Sequence, residues 1–140
     1  MDLADITIRK DGKWYYGKAE MFRRNILNIL ARNIERLEDG SYCIKLGQEE
    51  SQITVEDVPF LATGYLEEDD GRIKLVFHDL QEMSLDHEIK LYLKGDVPYI
   101  SFRWEADTRL SRGVYWKLSE FFDFRDEEIY IVLPQPVSNH

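Results

Sequence analysis

The sequence predicts an α+β protein of two similar small lobes, each an antiparallel sheet packed by one helix. Three observations carry this. Most apolar runs are short and alternate with polar residues, and glycine-bearing polar turns separate them, as in antiparallel hairpins. Two stretches, near residues 21–37 and 107–122, change to helical spacing. The order hairpin, helix, strand then occurs twice, as 5–16, 21–37, 41–46 and again as 88–104, 109–122, 129–133. Duplication of one lobe is the expectation, with an N-terminal lobe over residues 1–78 and a C-terminal lobe over 79–140.

The elements follow in order. Ile6-Thr7-Ile8 and Trp14-Tyr15-Tyr16 flank Lys10-Asp11-Gly12-Lys13, and Asp-Gly between apolar runs marks a hairpin. From Met21 to Leu37, residues Phe22, Ile26, Ile29, Leu30, Ile34 and Leu37 fall at helical spacing as one apolar stripe. Asp39-Gly40 suits the helix exit, because glycine accepts a left-handed backbone. Ser41–Leu46, Gln52–Val55, Phe60–Leu66 and Arg72–Phe77 read as an antiparallel meander. Residues 78–87 are irregular. Glu88–Leu93 and Tyr99–Trp104 form the next hairpin, and Leu110, Val114, Leu118, Phe121 and Phe122 give the second helix its stripe. Ile129–Leu133 is a last strand, stopped by Pro134-Gln135-Pro136. A tetrad recurs: Asp57-Val58-Pro59-Phe60 and Asp96-Val97-Pro98-Tyr99 each precede a strand, where proline's fixed φ and missing N–H are tolerated.

Totals bound the function. The 140 residues carry a net charge of −9, which disfavours nucleic acid and anionic membrane as partners. The charge is uneven: residues 1–37 hold 8 Lys/Arg against 5 Asp/Glu, a net of +3, and the remainder is net −12. No apolar run is long enough to span a bilayer, and the first residues lack the features of a signal peptide, so a cytoplasmic protein is expected. The single Cys43 excludes an internal disulfide and alternates with apolar neighbours as a strand thiol does.

Five segments and an arginine together resemble a bacterial family known as domain of unknown function 1285 (DUF1285). They are Asp11-Gly12-Lys13-Trp14-Tyr15-Tyr16 with Arg23 or Arg24, Glu38-Asp39-Gly40-Ser41-Tyr42, Val55-Glu56-Asp57-Val58-Pro59-Phe60, Pro98-Tyr99-Ile100-Ser101-Phe102-Arg103 and Ser111-Arg112-Gly113-Val114-Tyr115-Trp116. The resemblance implies a two-lobed α+β fold with a repeated motif and, at most, a ligand-binding or signalling role. Two departures stand out. Trp104-Glu105 follow Arg103 where the family has glycines, which puts a backbone anion nest there in doubt. Gly47-Gln48-Glu49-Glu50 replace a Thr-Pro-x-Glu-Lys pattern.

Familiar catalytic signatures are missing: no Gly-x-Ser-x-Gly, no P-loop, no dinucleotide fingerprint and no His-Glu-x-x-His. His78-Asp79, Glu82 and Asp86-His87-Glu88 match no metal-ligand spacing and read as a solvated acidic loop. No catalytic residue, metal or cofactor is assigned. The expected function is a ligand- or protein-binding module, regulatory in kind, taking a small anionic ligand or a protein partner. Its expected surface is a groove between the lobes near Trp14, Tyr16, Arg23, Asp57, Arg103, Arg112 and Tyr115. Aromatic rings beside arginines can stack on planar ligands, and Arg103 and Arg112 can pair with carboxylates, either a ligand's or those of Glu56 and Asp57. Two other classes are compatible with the same residues. One is a hydrolase using Asp57, His78 or His87, and the other is a structural subunit, such as a homodimer through an open sheet edge.

Overall fold

The computed structural model describes residues 2–134 of the chain. The chain divides into two compact units, Met1–Pro59 with His78–Gln81, and Phe60–Phe77 with Glu82–His140. The main break falls at the Pro59–Phe60 bond, with His78–Gln81 returning to the first unit. The reason is a pairing that local pattern does not show: the strand opened by Phe60 takes its parallel partner from far along the chain.

In the first unit, β1 (Ile6–Ile8) and β2 (Trp14–Tyr16) form the expected hairpin. Its turn is closed by Arg9 N–H donating to Lys13 O at 2.9 Å, with Gly12 at φ 86°. Then come β3 (Ala19–Glu20), α1 (Arg24–Arg32), β4 (Ile34–Arg36), β5 (Tyr42–Leu46) and β6 (Glu49–Val55). The sheet order is β3-β2-β1-β6-β5-β4. All pairs are antiparallel except β1 with β6, which runs parallel through Thr7–Thr54 and Ile8–Val55.

The first helix is shorter than the predicted 21–37. Asn33 ends it, its Nδ2 donating to Ile29 O at 2.6 Å and its N–H to Leu30 O at 3.1 Å. Ile34 then enters β4 opposite Ile44, both fully buried, so strand pairing wins over continued helix. The buried helix face is Leu27, Leu30 and Ala31, against β5, and Phe22 is 77% exposed. Asp39-Gly40 turns the β4–β5 hairpin instead of capping the helix, with Asp39 Oδ1 accepting from Ser41 N–H at 2.9 Å.

In the second unit, β7 (Phe60–Glu67), β8 (Ile73–Phe77), β9 (Glu82–Leu85), β10 (Ile89–Lys94), β11 (Val97–Ile100) and β12 (Thr108–Leu110) precede α2 (Arg112–Leu118). A 3-10 turn (Ser119–Phe121) leads to β13 (Phe122–Arg125) and β14 (Glu128–Ile131). The sheet order is β13-β14-β10-β11-β12-β7-β8-β9, with β7 and β12 parallel. The predicted second helix over 107–122 is thus split, because Thr108 and Leu110 are buried strand residues paired with Phe60 and Ala62.

The repeat is real but lies in other halves than those read from the sequence. Six strands of the second unit, β9-β8-β7-β12-β11-β10, reproduce the order β3-β2-β1-β6-β5-β4, each with one parallel pair at its centre. The repeating stretches are therefore 6–55 and 60–110. The helices do not correspond: α1 joins β3 to β4, whereas α2 follows β12. The Asp-Val-Pro tetrads mark strand entries as expected, at β7 and β11, and these are not equivalent strands in the repeat.

Each unit has its own core. Ile6, Ile8, Trp14, Leu27, Ile34 and Ile44 fill the first. In the second, Phe60, Phe77, Ile100, Leu110, Leu118 and Ile131 are buried, and Phe60 meets Phe77, Phe102 and Trp104 at ring separations of 6.2, 5.4 and 6.1 Å.

Candidate functional site

The loop Ser101–Asp107 of the second unit is held by one buried side chain. Asp107 is 1% exposed. Its Oδ1 accepts from Phe102 N–H at 2.8 Å and from the Thr108 hydroxyl at 3.0 Å, and its Oδ2 accepts from Arg103 and Trp104 N–H at 2.9 and 2.8 Å. Ala106 takes φ 52°, a left-handed backbone rare outside glycine, and donates its N–H to Ser101 Oγ at 2.9 Å. The backbone nest at this point exists without glycines, and the protein's own carboxylate fills it. The loop carries Arg103, exposed, with its guanidinium 4.8 Å from the Trp104 ring centre and 5.7 Å from that of Phe60.

Helix α2 starts right after β12. Ser111 caps it, its Oγ accepting from Val114 N–H at 3.3 Å, and its own N–H donates to Ala62 O at 2.9 Å. Val114 and Leu118 are buried and pack the helix on β7, just after the buried strand residue Leu110. That choice of face sends Arg112, Gly113, Trp116 and Lys117 outward. Trp116 is 68% exposed, unusual for the largest apolar side chain. Arg112 and Trp116 lie one turn apart on one face, four residues apart. Arg112 sits in the first turn, where the helix dipole opposes a cation, and forms no ion pair among the described residues. Lys117 has no carboxylate partner there either, its Nζ lying 5.9 Å from the Tyr65 ring centre. Tyr115 is half-buried and packs on Phe122 at 5.6 Å. The surface can engage an apolar anchor and an anionic group side by side.

The remaining predicted residues fall elsewhere. Trp14 is 1% exposed, so its ring belongs to the core of the first unit. Tyr16 is half-buried and its hydroxyl accepts from Asp2 N–H at 3.0 Å. Arg23 is exposed at the start of α1 and makes no side-chain cap. Asp57 is half-buried ahead of Pro59. Trp14, Tyr16, Arg23 and Asp57 lie in the first unit, and Arg103, Arg112 and Tyr115 in the second. Trp116 and Lys117 were not singled out from the sequence, although the helical stripe Leu110–Val114–Leu118 already places Trp116 opposite the core and Lys117 at the stripe's edge.

His78 belongs to the first unit, where burial and then the nearby Arg24 push its pKa below the usual histidine value. Asp79 beside it is buried, with its carboxylate accepting from the Gln81 backbone and side chain at 3.0 and 3.2 Å. In the second unit, His87 Nδ1 lies 2.6 Å from Asp86 Oδ1, and both are exposed. They border a cavity of about 410 Å³ with Arg72, Ile73, Leu85 and Glu88. Among the described residues no three His, Cys, Asp or Glu side chains converge as metal ligands, and no helix is long and apolar enough to cross a membrane.

The architecture is mixed α+β: a six-stranded and an eight-stranded sheet, one short helix with each. No family model matches the sequence, and no curated protein matches it. Two crystal structures match the fold. A DUF1285 family protein from Silicibacter pomeroyi superposes with a TM-score of 0.72 at 17% identity, over 94% of this chain and 80% of that one. A DUF1285 family protein from Shewanella baltica gives 0.68 at 17% identity, over 86% of this chain and 94% of that one. The chain has the fold of the DUF1285 family proteins, so the resemblance read from the sequence holds at the level of fold.

Proposed function

We propose that this protein is a non-catalytic, regulatory binding module that takes an acidic, apolar-anchored segment of a protein partner on the outer face of α2. The observation that carries this is the exposure of Trp116, at 68%, on the same helical face as Arg112. An exposed tryptophan beside an arginine is the composition of interface hot spots. Lys117 extends the cationic character, on a chain whose overall charge is −9. Local positive charge on an acidic protein steers an acidic partner to this face and away from the rest. A reducing, cytoplasmic setting fits the one cysteine, Cys43, which is 2% exposed.

The test is fluorescence anisotropy with a labelled peptide of alternating Glu and Asp around a central Leu-Trp pair, and with its Lys counterpart. Saturable binding of the acidic peptide only is expected. Trp116→Ala is expected to weaken it at least about tenfold while leaving stability within about 0.5 kcal/mol of wild type. Arg112→Glu is expected to abolish binding and to stabilise α2 by about 0.3–1 kcal/mol, since an acid suits the first turn. Equal binding of both peptides, or binding indifferent to Trp116→Ala, contradicts the proposal.

A further inference from the structure

β13 ends the eight-stranded sheet, with β14 as its only strand partner among the described residues. Of the edge strands, β3 has two residues, and neither β4 nor β9 exposes a large apolar side chain. β13 does: Phe124 is 71% exposed, at 6.5 Å from Phe122 on the same face. The opposite face carries Asp123 and Arg125, joined Oδ2 to Nε at 2.8 Å. Arg125 is held along the strand by Glu88, which accepts from Nη1 at 2.9 Å and from Nη2 at 2.6 Å.

Backbone register says which groups face the open side. Arg125 and Glu128 close the two-residue turn Asp126–Glu127, so they form a hydrogen-bonded pair. Antiparallel ladders alternate, which makes Phe124 and Ile129 a non-hydrogen-bonded pair. The N–H and carbonyl of Phe124 therefore point away from β14, at the middle of the free edge.

We propose that two copies of this chain pair antiparallel along β13, about a two-fold axis at Phe124. In this register Phe124 faces its own counterpart and the two residues exchange both backbone hydrogen bonds. Asp123 of each copy then lies opposite Arg125 of the other, giving two ion pairs by symmetry. A shift of one residue would set Asp123 against phenylalanine and lose both. The self-complementarity is thus specific to one register, as an isologous interface requires. Edges without such a role are often kept apart by like charge or bulges, and β13 has neither. A four-residue strand buries less than a standard interface, so the dimer is weak, with Kd of order 10–100 μM.

Sedimentation velocity of the intact chain from about 5 μM to about 1 mM reads the equilibrium. A monomer–dimer transition is expected. Phe124→Pro removes the outward N–H without breaking a bond to β14 and is expected to leave a monomer with an unchanged circular dichroism spectrum. Asp123→Arg, which sets like charges across the axis, is expected to do the same. Phe124→Cys does not depend on tolerance of proline: under mild oxidation it is expected to form a covalent dimer at least about tenfold faster than Phe22→Cys, which is 77% exposed in the other unit. A monomer at every concentration, or equal cross-linking of the two cysteine variants, overturns the proposal. Neither result touches the α2 surface, which uses Trp116.

Discussion

Asp107→Asn removes one charge and one acceptor from the Ser101–Asp107 loop and leaves its shape. In the native loop two carboxylate oxygens receive three backbone N–H groups and one hydroxyl. Asparagine has a single oxygen. If it takes the Oδ2 place, its amide faces the N–H of Phe102. If it takes the Oδ1 place, its amide faces the N–H groups of Arg103 and Trp104. At least one buried N–H is left without an acceptor, at about 1–3 kcal/mol, and the surviving bonds lose their charge assistance, at about 0.5–1 kcal/mol each. A loss near 3 kcal/mol is the expectation. With a urea m-value of about 1–3 kcal/mol/M, the midpoint moves down by about 1–3 M. The assay is urea unfolding followed by tryptophan fluorescence and by circular dichroism, with exposed Asp86→Asn as control, expected to stay close to wild type. A midpoint within about 0.3 M of wild type at unchanged m would refute the reasoning, and the loop would then owe its form to packing.

Other expectations follow from the same geometry. Phe60→Ala opens a cavity among Phe77, Phe102 and Trp104 and should cost about 3–5 kcal/mol, read by thermal or urea unfolding. His78 has a depressed pKa in the folded chain, so the unfolded chain binds the extra proton first. Stability is unaffected by this group above the unfolded value near 6.5 and falls as pH drops through the folded value. A histidine titration by NMR should place His78 below the usual histidine value, and His78→Asn should flatten the acid-side slope of stability. Burial, then Glu50, pushes the Cys43 thiol up, so iodoacetamide at pH 8 should modify it slowly in the native protein and rapidly in urea.

Much of the fold was legible because hairpin chemistry is local. Asp11-Gly12 sets the β1–β2 turn, and the alternation of Ile73, Leu75 and Phe77 gives a strand with one buried face. What local pattern hides is who pairs with whom. Thr108-Arg109-Leu110 looked like the first turn of a helix, and becomes a strand because Phe60–Ala62 accepts it in parallel. Ile34 continued a helical stripe, and pairing with Ile44 took it into the sheet. Both errors came from the same source, a strand residue adjoining a helix and falling by chance on its apolar period. These same pairings moved the repeat from 5–46 and 88–133 to 6–55 and 60–110.

The candidate site was less legible. Arg112 and Tyr115 were named, while Trp116 between them and Lys117 was passed over, although a stripe of Leu110, Val114 and Leu118 requires Trp116 to face solvent. Trp14 was read as a surface candidate, and its alternation partners Ile6 and Ile8 explain why it is core: in register, Ile8 and Trp14 are directly paired and both buried. Asp107 was read only as the first residue of the second helical stretch. That a carboxylate fills the amide nest ahead of it depends on the left-handed turn at Ala106, which nothing in an alanine announces.

The most direct test of the binding account is an NMR titration that watches the tryptophan indole N–H signals. The chain has three: Trp14, buried; Trp104, stacked on Phe60; and Trp116, exposed. On adding the acidic Leu-Trp peptide in unlabelled form, the Trp116 signal should shift in a saturable way, and that of Trp14 should stay fixed. If Trp116 stays fixed while peptide binds, or if no concentration of peptide moves any of the three, the outer face of α2 is not the binding surface.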